Sequence, residues 1–147
     1  MGDENVLKIY TDGGSRGNPG PAASAFVVYK NKKLVYKNAF FLGKKTNNYA
    51  EYYAVKSAVN WLLQNTQSFL RVEFFIDSEL VVNQLNGRYK IKSKNLLPLI
   101  QCIKAAEGKM NKNISYLHIL REKNTVADML VNEKIDQNYS AVSRTSA

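Results

Sequence analysis

The sequence predicts an α/β fold in which helices cover a mixed β-sheet. Two β-rich segments joined by a short polar turn predict an antiparallel hairpin in the first third of the chain. The rest of the chain alternates between short segments rich in β-branched and aromatic residues and longer segments with a helical period. That alternation is typical of strands connected by helices, so antiparallel and parallel strands are expected in one sheet.

Three strands are predicted near the N-terminus. The first ends on Asp12 and is followed by a turn rich in Gly, Pro and Asn. The other two form a hairpin around the polar residues 31–33. The predicted bounds are residues 6–12 for the first strand, 13–21 for the turn, and 22–30 and 34–42 for the hairpin strands.

An amphipathic helix and two strand–helix units complete the predicted fold. The first helix has apolar residues at i+3, i+4, i+7 and i+11 from Glu51, so this carboxylate lies on the apolar stripe. The later elements are helix 48–64, strand 71–77, helices 78–85 and 94–110, strand 114–120 and helix 125–137. The remaining residues are too polar to pack. We therefore expect one domain over residues 1–137 and a flexible tail over residues 138–147.

The composition excludes several classes of protein. No apolar run approaches the roughly 20 residues that a membrane span needs. The single cysteine, Cys102, excludes an intrachain disulfide and a cysteine-based zinc site, and its apolar helical surroundings predict a buried, inert thiol. Because no secretory signal opens the chain, we expect a cytoplasmic protein. No obligate protein partner is evident, and a monomer is the default expectation.

The formal net charge of +9 is unevenly distributed. Residues 13–50 contain seven basic residues and residues 80–106 contain five, and neither segment contains an acidic residue. Such fields favour a polyanionic partner, of which nucleic acid is the commonest. On charge alone, a basic surface that only keeps the protein in solution explains the pattern equally well.

Four acidic residues stand where a functional site is expected. Asp12 and Asp77 each end a predicted strand, and sites in sheets of this type form beyond the carboxyl ends of central strands. Glu51 lies on an apolar helical stripe, where an uncompensated carboxylate is costly. Asp128 lies in the first turn of the last helix.

Each carboxylate also has a purely structural interpretation. Asp12 starts a turn, and Asp77 caps the helix that follows it. Glu51 and Asp128 each close a capping box with the Asn or Thr three residues before them. Together these interpretations are less satisfactory, because they leave Glu51 facing the core and two strand-end aspartates pointing at the same place.

A cluster of carboxylates indicates a particular metal chemistry. Neighbouring carboxylates raise each other's pKa values unless cations neutralise them. Oxygen ligands with almost no histidine select Mg²⁺, with Mn²⁺ as a substitute, over zinc. Mg²⁺ binds through a few carboxylates and substrate phosphates, so a cluster on a basic protein indicates hydrolysis of a phosphodiester. Two ions about 3.5–4 Å apart would activate the water and stabilise the leaving oxygen.

Four sequence motifs resemble those of ribonuclease H type 1. They occur in the order that the family has them and together cover nearly the whole chain. They read YTDGGSRGNPGP at residues 10–21, TNNYAE at 46–51, IDS at 76–78 and REKNTVAD at 121–128. The resemblance implies the ribonuclease H-like fold, with a five-stranded mixed sheet whose first three strands are antiparallel and whose later strands are parallel.

The resemblance also implies an activity and a set of site residues. The activity is hydrolysis of the RNA strand of an RNA–DNA hybrid, which leaves 5′-phosphate and 3′-hydroxyl ends. Two Mg²⁺ ions would be held by Asp12, Glu51, Asp77 and Asp128. The expected substrate-binding residues are Gly13, Gly14, Asn18, Thr46, Asn47, Asn48 and Ser78.

Some of these binding residues have a local rationale. Thr46 matches a family position that holds a phosphate of the DNA strand. Glycines without a Cβ would let the backbone approach the ribose 2′-hydroxyls, by which a protein distinguishes RNA from DNA. For Asn47 and Asn48, helix capping is the structural alternative.

Two residues compete for the role of assisting the leaving group. His118, ten residues before Asp128, matches the family histidine that helps the product leave or protonates the leaving group. It lacks the usual glycine-rich flexible loop, so it is also interpreted as a histidine that simply ends the last strand. Arg121 resembles the arginine that takes over this role in the archaeal-like branch. Both candidates stay open.

Two further departures from the family pattern concern substrate binding. Leu80 stands where many members have an aromatic residue near the hybrid. The segment between Asp77 and Asp128 is too short for the basic protrusion of some members. The basic run at residues 88–94 either replaces part of that binding surface or is a solvated loop.

Two other classes of function are compatible with the sequence. One is a catalytically inactive module that binds hybrids or duplexes, and only the basic charge supports it. The other is a different metal-dependent nuclease of the same fold, such as a junction resolvase, against which the Asn-rich motifs argue.

Overall fold

A computed structural model describes residues 5–65, 71–110 and 113–146, with side chains up to residue 138. The described elements include five strands and four α-helices. In chain order they are β1 (Val6–Ser15), β2 (Gly20–Lys30), β3 (Lys33–Lys45), α1 (Asn47–Gln64), β4 (Arg71–Ile76), α2 (Glu79–Leu85), α3 (Leu97–Met110), β5 (Asn113–His118) and α4 (Thr125–Ser146), with a 3₁₀ turn at Arg121–Lys123.

The five strands form one mixed sheet in the order β3-β2-β1-β4-β5. The pairs β1–β2 and β2–β3 are antiparallel, whereas β1–β4 and β4–β5 are parallel. This confirms the predicted ribonuclease H-like sheet. Thr11 and Ile76 are the last pair between β1 and β4, so the next residues, Asp12 within β1 and Asp77 after β4, lie at the same end of the central strands.

Helices cover the two faces of the sheet unequally. On one face, α1, α2 and α3 enclose the main core, in which Ile9, Phe26 and Phe74 of the strands are buried. On the other face, α4 packs Val131 and Ile135 against Ala23 and Ala25. Alternate residues of a strand point to opposite faces, which is why neighbouring positions of β2 serve both cores.

Two turns are tighter than the sequence predicted. Strand β1 continues to Ser15 and β2 begins at Gly20, so the predicted turn at residues 13–21 shrinks to residues 16–19. The hairpin turn consists of Asn31 and Lys32, which have φ values of 53° and 64°. Positive φ at both central residues matches the right-handed twist of the strands and joins them with two residues.

The last helix is longer than predicted. Helix α4 runs to Ser146, beyond the predicted end at residue 137, so the backbone of residues 138–146 is helical. Ala147 and the side chains of residues 139–146 lie outside what the structure describes. The division into a domain over residues 1–137 and a flexible tail remains a prediction.

The prediction of a buried cysteine is wrong, since Cys102 is exposed. Helix α3 turns Leu99, Ile103 and Ala106 inward, and Cys102 lies on its solvent side. Apolar neighbours in sequence did not reveal which face of the helix the thiol occupies.

None of the helices in the described ranges combines the length and the apolar character needed to cross a membrane.

The close approach of α1 to β1 predicts that any side chain at position 13 destabilises the fold. A Cβ at this position would overlap the backbone carbonyl of Ala50, whereas a Cβ on Gly14 would meet only Val131 Cγ1 at 3.5 Å. We expect Gly13→Ala to lower the free energy of unfolding by about 1–3 kcal/mol, as overpacking does, because the overlapping atoms are backbone. Chemical denaturation measures the effect, with Gly14→Ala as the matched control. Equal stability of the two variants would contradict this account.

Candidate metal centre

Three carboxylates meet where the pairing of the central strands β1 and β4 ends. Asp12, Glu51 and Asp77 each offer an oxygen atom, and these atoms lie within 4.8 Å of one another. They line a cavity of about 280 Å³ together with Asp128 and Arg121. The structure therefore brings together carboxylates that are far apart in the chain, as the sequence analysis predicted from their positions.

The start of α1 determines where Glu51 lies. Thr46 caps the helix, because its Oγ1 accepts a hydrogen bond from the Tyr49 backbone N–H at 3.2 Å. The Ser24 hydroxyl donates to the Ala50 carbonyl, which ties the first turn of α1 to β2. Since Gly13 has no Cβ, this turn can lie directly against β1. Glu51 is thereby held over the strand end that carries Asp12.

The capping interpretations of the carboxylates are wrong. The cap of α1 is Thr46 and that of α2 is Ser78, so neither Asn48 nor Asp77 serves as one. At α4, the Asp128 backbone N–H donates to the Asn124 carbonyl at 3.2 Å, so the first helical turn starts from Asn124 and not from Thr125.

The electrostatics of the cluster favour a cation. Burial, followed by the charges of Asp77, Glu51 and Asp128, raises the pKa of Asp12 from 3.8 to about 8. Burial and the charge of Asp77 raise the pKa of Glu51 from 4.5 to about 8, against a hydrogen bond from Ser78 and the charge of Arg121. The pKa of Asp77 is also raised, mainly by burial. Burial and neighbouring negative charge therefore favour the neutral carboxyls unless a cation neutralises the cluster.

The donor set fits a hard divalent cation. Oε2 of Glu51 is buried and has no hydrogen-bond partner among the described residues. An orphaned carboxylate oxygen is costly unless a proton or a metal ion satisfies it. Three carboxylate oxygens within 4.8 Å of one another form a set that Mg²⁺ or Mn²⁺ accepts.

Asp128 stands at the rim of the cluster. It is not one of the three mutually close carboxylates, and 35 % of its side chain is exposed. It accepts a hydrogen bond from the protonated form of Asp12, which contributes to the raised pKa of Asp12. Arg121 Nη2 lies 3.9 Å from Asp128 Oδ1. The structure thus places Asp128 beside the cluster and within reach of it.

The two candidates for assisting the leaving group both lie near Asp77. His118 ends β5 and pairs with Ile76, so it emerges at the same sheet edge as Asp77. The charges of Arg121 and, to a smaller extent, His118 lower the pKa of Asp77 against the effect of burial. Arg121 lines the cavity, and 83 % of its side chain is exposed. Their roles stay predictions.

Two predicted substrate-binding asparagines also hold the protein together. Asn18 Oδ1 accepts from the Asn47 backbone N–H at 3.0 Å, and Asn47 Oδ1 accepts from the Ser15 backbone N–H at 2.7 Å. These bonds fasten the turn after β1 to the start of α1. Both residues are exposed, and within the described ranges their amide nitrogens donate to no protein group. Those nitrogens remain available as donors to a ligand.

The other predicted binding residues have mixed surroundings. Asn48 and Thr46 are exposed beside the entrance of α1. Ser78 caps α2, since its Oγ accepts from the Val81 backbone N–H at 3.3 Å, and it also bonds Glu51. Close approach to a ribose is not the only reason for a glycine at position 13, because its missing Cβ also makes room for α1.

Sequence reasoning assigned no role to one residue of the site. Asn124 lies in the fourth motif, is buried and contacts Asp77, its Nδ2 being 3.3 Å from Asp77 Oδ2. Its place in the fourth motif, which is eight residues long, was visible, but the contact with Asp77 depends on how the 3₁₀ turn packs against the end of the central strands.

A larger cavity, of about 600 Å³, lies on the α4 face of the sheet. Its lining includes Lys8, Tyr10 and Tyr29 but no carboxylate among the described residues. It therefore lacks the groups that the proposed chemistry requires. The smaller cavity with the carboxylates is the candidate site.

Comparison with known proteins agrees with this geometry. A family model described as reverse transcriptase-like matches residues 10–134. A bifunctional protein of Mycobacterium tuberculosis is 35 % identical over 130 residues, which are 87 % of this chain and 35 % of that protein. Ribonuclease HI of Halobacterium salinarum is 35 % identical over 132 residues, 88 % of this chain and 64 % of the relative. The chain thus spans about a third of the mycobacterial relative's length.

A solved structure is similar over nearly its whole length. LC11-RNase H1, isolated from compost and crystallised in complex with an RNA/DNA hybrid, superimposes with a TM-score of 0.86 at 39 % identity. The match covers 90 % of this chain and 99 % of that one.

The buried carboxylates predict how stability depends on pH when divalent cations are removed. Asp12 and Glu51, with pKa values near 8 in the folded protein, bind protons more tightly than in the unfolded chain. Their contribution to stability is complete below the unfolded values and is lost as the pH rises through about 8. We expect the free energy of unfolding in chelator to fall as the pH rises from the ordinary pKa values, 3.8 for Asp12 and 4.5 for Glu51, to about 8.

Denaturation of wild type and Asp12→Asn at several pH values isolates this contribution. The variant lacks one titrating group, so its stability should fall less steeply. Glu133→Gln, which removes an exposed carboxylate of α4, should retain the wild-type slope. Parallel curves for wild type and Asp12→Asn would contradict a raised pKa at Asp12.

Proposed function

The chain belongs to the reverse transcriptase-like family and has the ribonuclease H-like fold, and on that premise we propose that it is a metal-dependent endonuclease that hydrolyses the RNA strand of RNA–DNA hybrids. The observation that carries the proposal is the cluster of Asp12, Glu51 and Asp77 at the carboxyl ends of the central strands. The hybrid-bound relative and the ribonuclease HI relative support the choice of substrate.

The carboxylates are proposed as the metal ligands. Asp12, Glu51 and Asp77 would bind directly, and Asp128 at the rim would complete a site for two ions. When bound, two Mg²⁺ or Mn²⁺ ions supply an activated water and charge stabilisation for the leaving oxygen. Ser78, by donating to Glu51, keeps that carboxylate oriented towards Asp77.

The remaining chemistry is proposed for the chain's own basic residues. Water attacks the phosphorus, the bond to the 3′-oxygen breaks, and this oxygen takes up a proton, which leaves 3′-hydroxyl and 5′-phosphate ends. Arg121, exposed at the cavity and charged, is suited to offset the phosphate charge during product release. His118, at the same sheet edge, is suited to supply the proton to the leaving oxygen.

Recognition of the hybrid is proposed for the exposed edge around α1. The amide nitrogens of Asn18 and Asn47 are free donors on a backbone fixed by their own carbonyl oxygens. Asn48 and Thr46 lie next to them and are exposed. The backbone of Gly13 and Gly14 runs between this edge and the carboxylates. Such donors can read base edges and 2′-hydroxyls.

The basic run at residues 88–94 is proposed as a second binding surface. It follows α2, whose cap Ser78 is next to Asp77, and Arg88, Lys90, Lys92 and Lys94 are all exposed. Gln84 holds the loop by donating to the Lys90 carbonyl at 3.2 Å. A held loop with exposed charges suits contact with a phosphate backbone.

The alternatives have less support. An inactive binding module would not require three carboxylates so close together, and a resolvase would not require the free asparagine donors. A cytoplasmic location and a monomeric state belong to the same proposal.

Removal of a carboxylate is the direct test of the activity. We expect Asp77→Asn to reduce cleavage of a labelled RNA–DNA hybrid in Mg²⁺ by at least about a hundredfold, because a charged ligand is lost. Chelator should abolish the wild-type activity. Glu133→Gln should cleave like wild type. Undiminished cleavage by Asp77→Asn, or cleavage in chelator, would refute the proposal.

The role of the basic loop is tested by the salt dependence of hybrid binding. Replacing Lys90, Lys92 and Lys94 by Gln should reduce the slope of log affinity against log salt by up to about 3, one unit per lost phosphate contact. The control replaces Lys32, Lys33 and Lys109. Lys32 and Lys33 lie at the turn between β2 and β3, the end of the sheet away from Asp12, and Lys109 is exposed in the last turn of α3. If both triple variants change the slope equally, the loop is only a solvated surface.

A further inference from the structure

Asn124 connects the three chain segments that carry Asp12, Asp77 and Asp128. Its Nδ2 donates to the Thr11 carbonyl at 2.8 Å and to Asp77 Oδ2 at 3.3 Å. Its backbone carbonyl accepts from the Asp128 N–H at 3.2 Å. Asn124 is thus bonded to the residue before Asp12, to the side chain of Asp77 and to the backbone of Asp128.

The chemistry of the amide explains why this residue type stands here. The Thr11 carbonyl and the Asp77 carboxylate are both acceptors, so the side chain between them must present two N–H groups. An asparagine nitrogen does so, whereas a carboxylate would add a fourth negative group to the cluster. The hydrogen bond to Asp77 also favours the ionised form, and it opposes the rise of the Asp77 pKa that burial causes.

This arrangement leaves one polar atom of Asn124 without a partner, which costs stability. Asn124 is 1 % exposed, and its Oδ1 is buried without a hydrogen-bond partner among the described residues. An unsatisfied buried oxygen is unfavourable, and an apolar residue of similar size would avoid it. The geometry therefore favours a purpose other than packing for this side chain.

We propose that Asn124 is a positioning residue that holds the Asp77 carboxylate in a fixed orientation towards Asp12 and so prepares the cluster for divalent cations. The inference rests on the proposed function, because it assumes that these carboxylates bind metal. Replacing Asn124 should weaken cation binding, since groups that orient metal ligands typically contribute about 10–100-fold to metal affinity.

Calorimetric titration with Mg²⁺ alone, without nucleic acid, tests the inference. We expect Asn124→Ala to bind Mg²⁺ about 10–100-fold more weakly than wild type. The matched control is Asn138→Ala on α4, since Asn138 Nδ2 also donates to a backbone carbonyl, that of Lys134, at 2.8 Å. The control should bind Mg²⁺ like wild type.

The outcomes separate this inference from its premise. If Asn124→Ala loses thermal stability but binds Mg²⁺ like wild type, the residue is only structural and the inference is overturned. If wild type itself neither binds Mg²⁺ nor cleaves hybrid, the proposed function fails first.

A second measurement does not depend on the folding of a variant. In wild-type protein, the side-chain amide resonances of Asn124 should shift when Mg²⁺ is added. Resonances that stay unchanged at saturating Mg²⁺ would overturn the inference.

Discussion

The cost of ionising three carboxylates that are partly or fully buried side by side is the constraint on which the rest of the site depends. Burial, followed by the charges of neighbouring carboxylates, raises the pKa values of Asp12, Glu51 and Asp77 and expresses that cost. Single hydrogen bonds from Ser78 and Asn124 compensate part of that cost. The uncompensated part of that cost favours a divalent cation. The close carboxylates therefore destabilise the protein and at the same time suit the site for metal.

The core of the protein holds these carboxylates in place. Parallel pairing of Thr11 with Ile76 sets Asp12 beside Asp77, and the absence of a Cβ on Gly13 lets α1 bring Glu51 over them. Both supports belong to the central strands and not to a loop. A site built on strands and a packed helix keeps its geometry more accurately than one built on loops.

Sequence patterns were sufficient for the sheet and the carboxylates but not for every contact. Asp12 and Asp77 were predictable because each follows an apolar strand, and Glu51 because it interrupts an apolar stripe. The caps Thr46 and Ser78, the exposed Cys102 and the extended α4 depend on exact helix bounds, which local pattern does not determine. Asn124 bonds Thr11 across the fold, and no local pattern encodes such a contact.

The parallel pairing of β1 with β4 also has a consequence for the order of folding. Strands β1 and β4 are separated in the chain by two strands and a helix, so Asp12 and Asp77 meet only after this long segment has closed. The hairpin of β2 and β3 has local contacts and forms without bringing any carboxylates together. Under the proposed metal binding, divalent cations would stabilise the protein only after the central strands have paired.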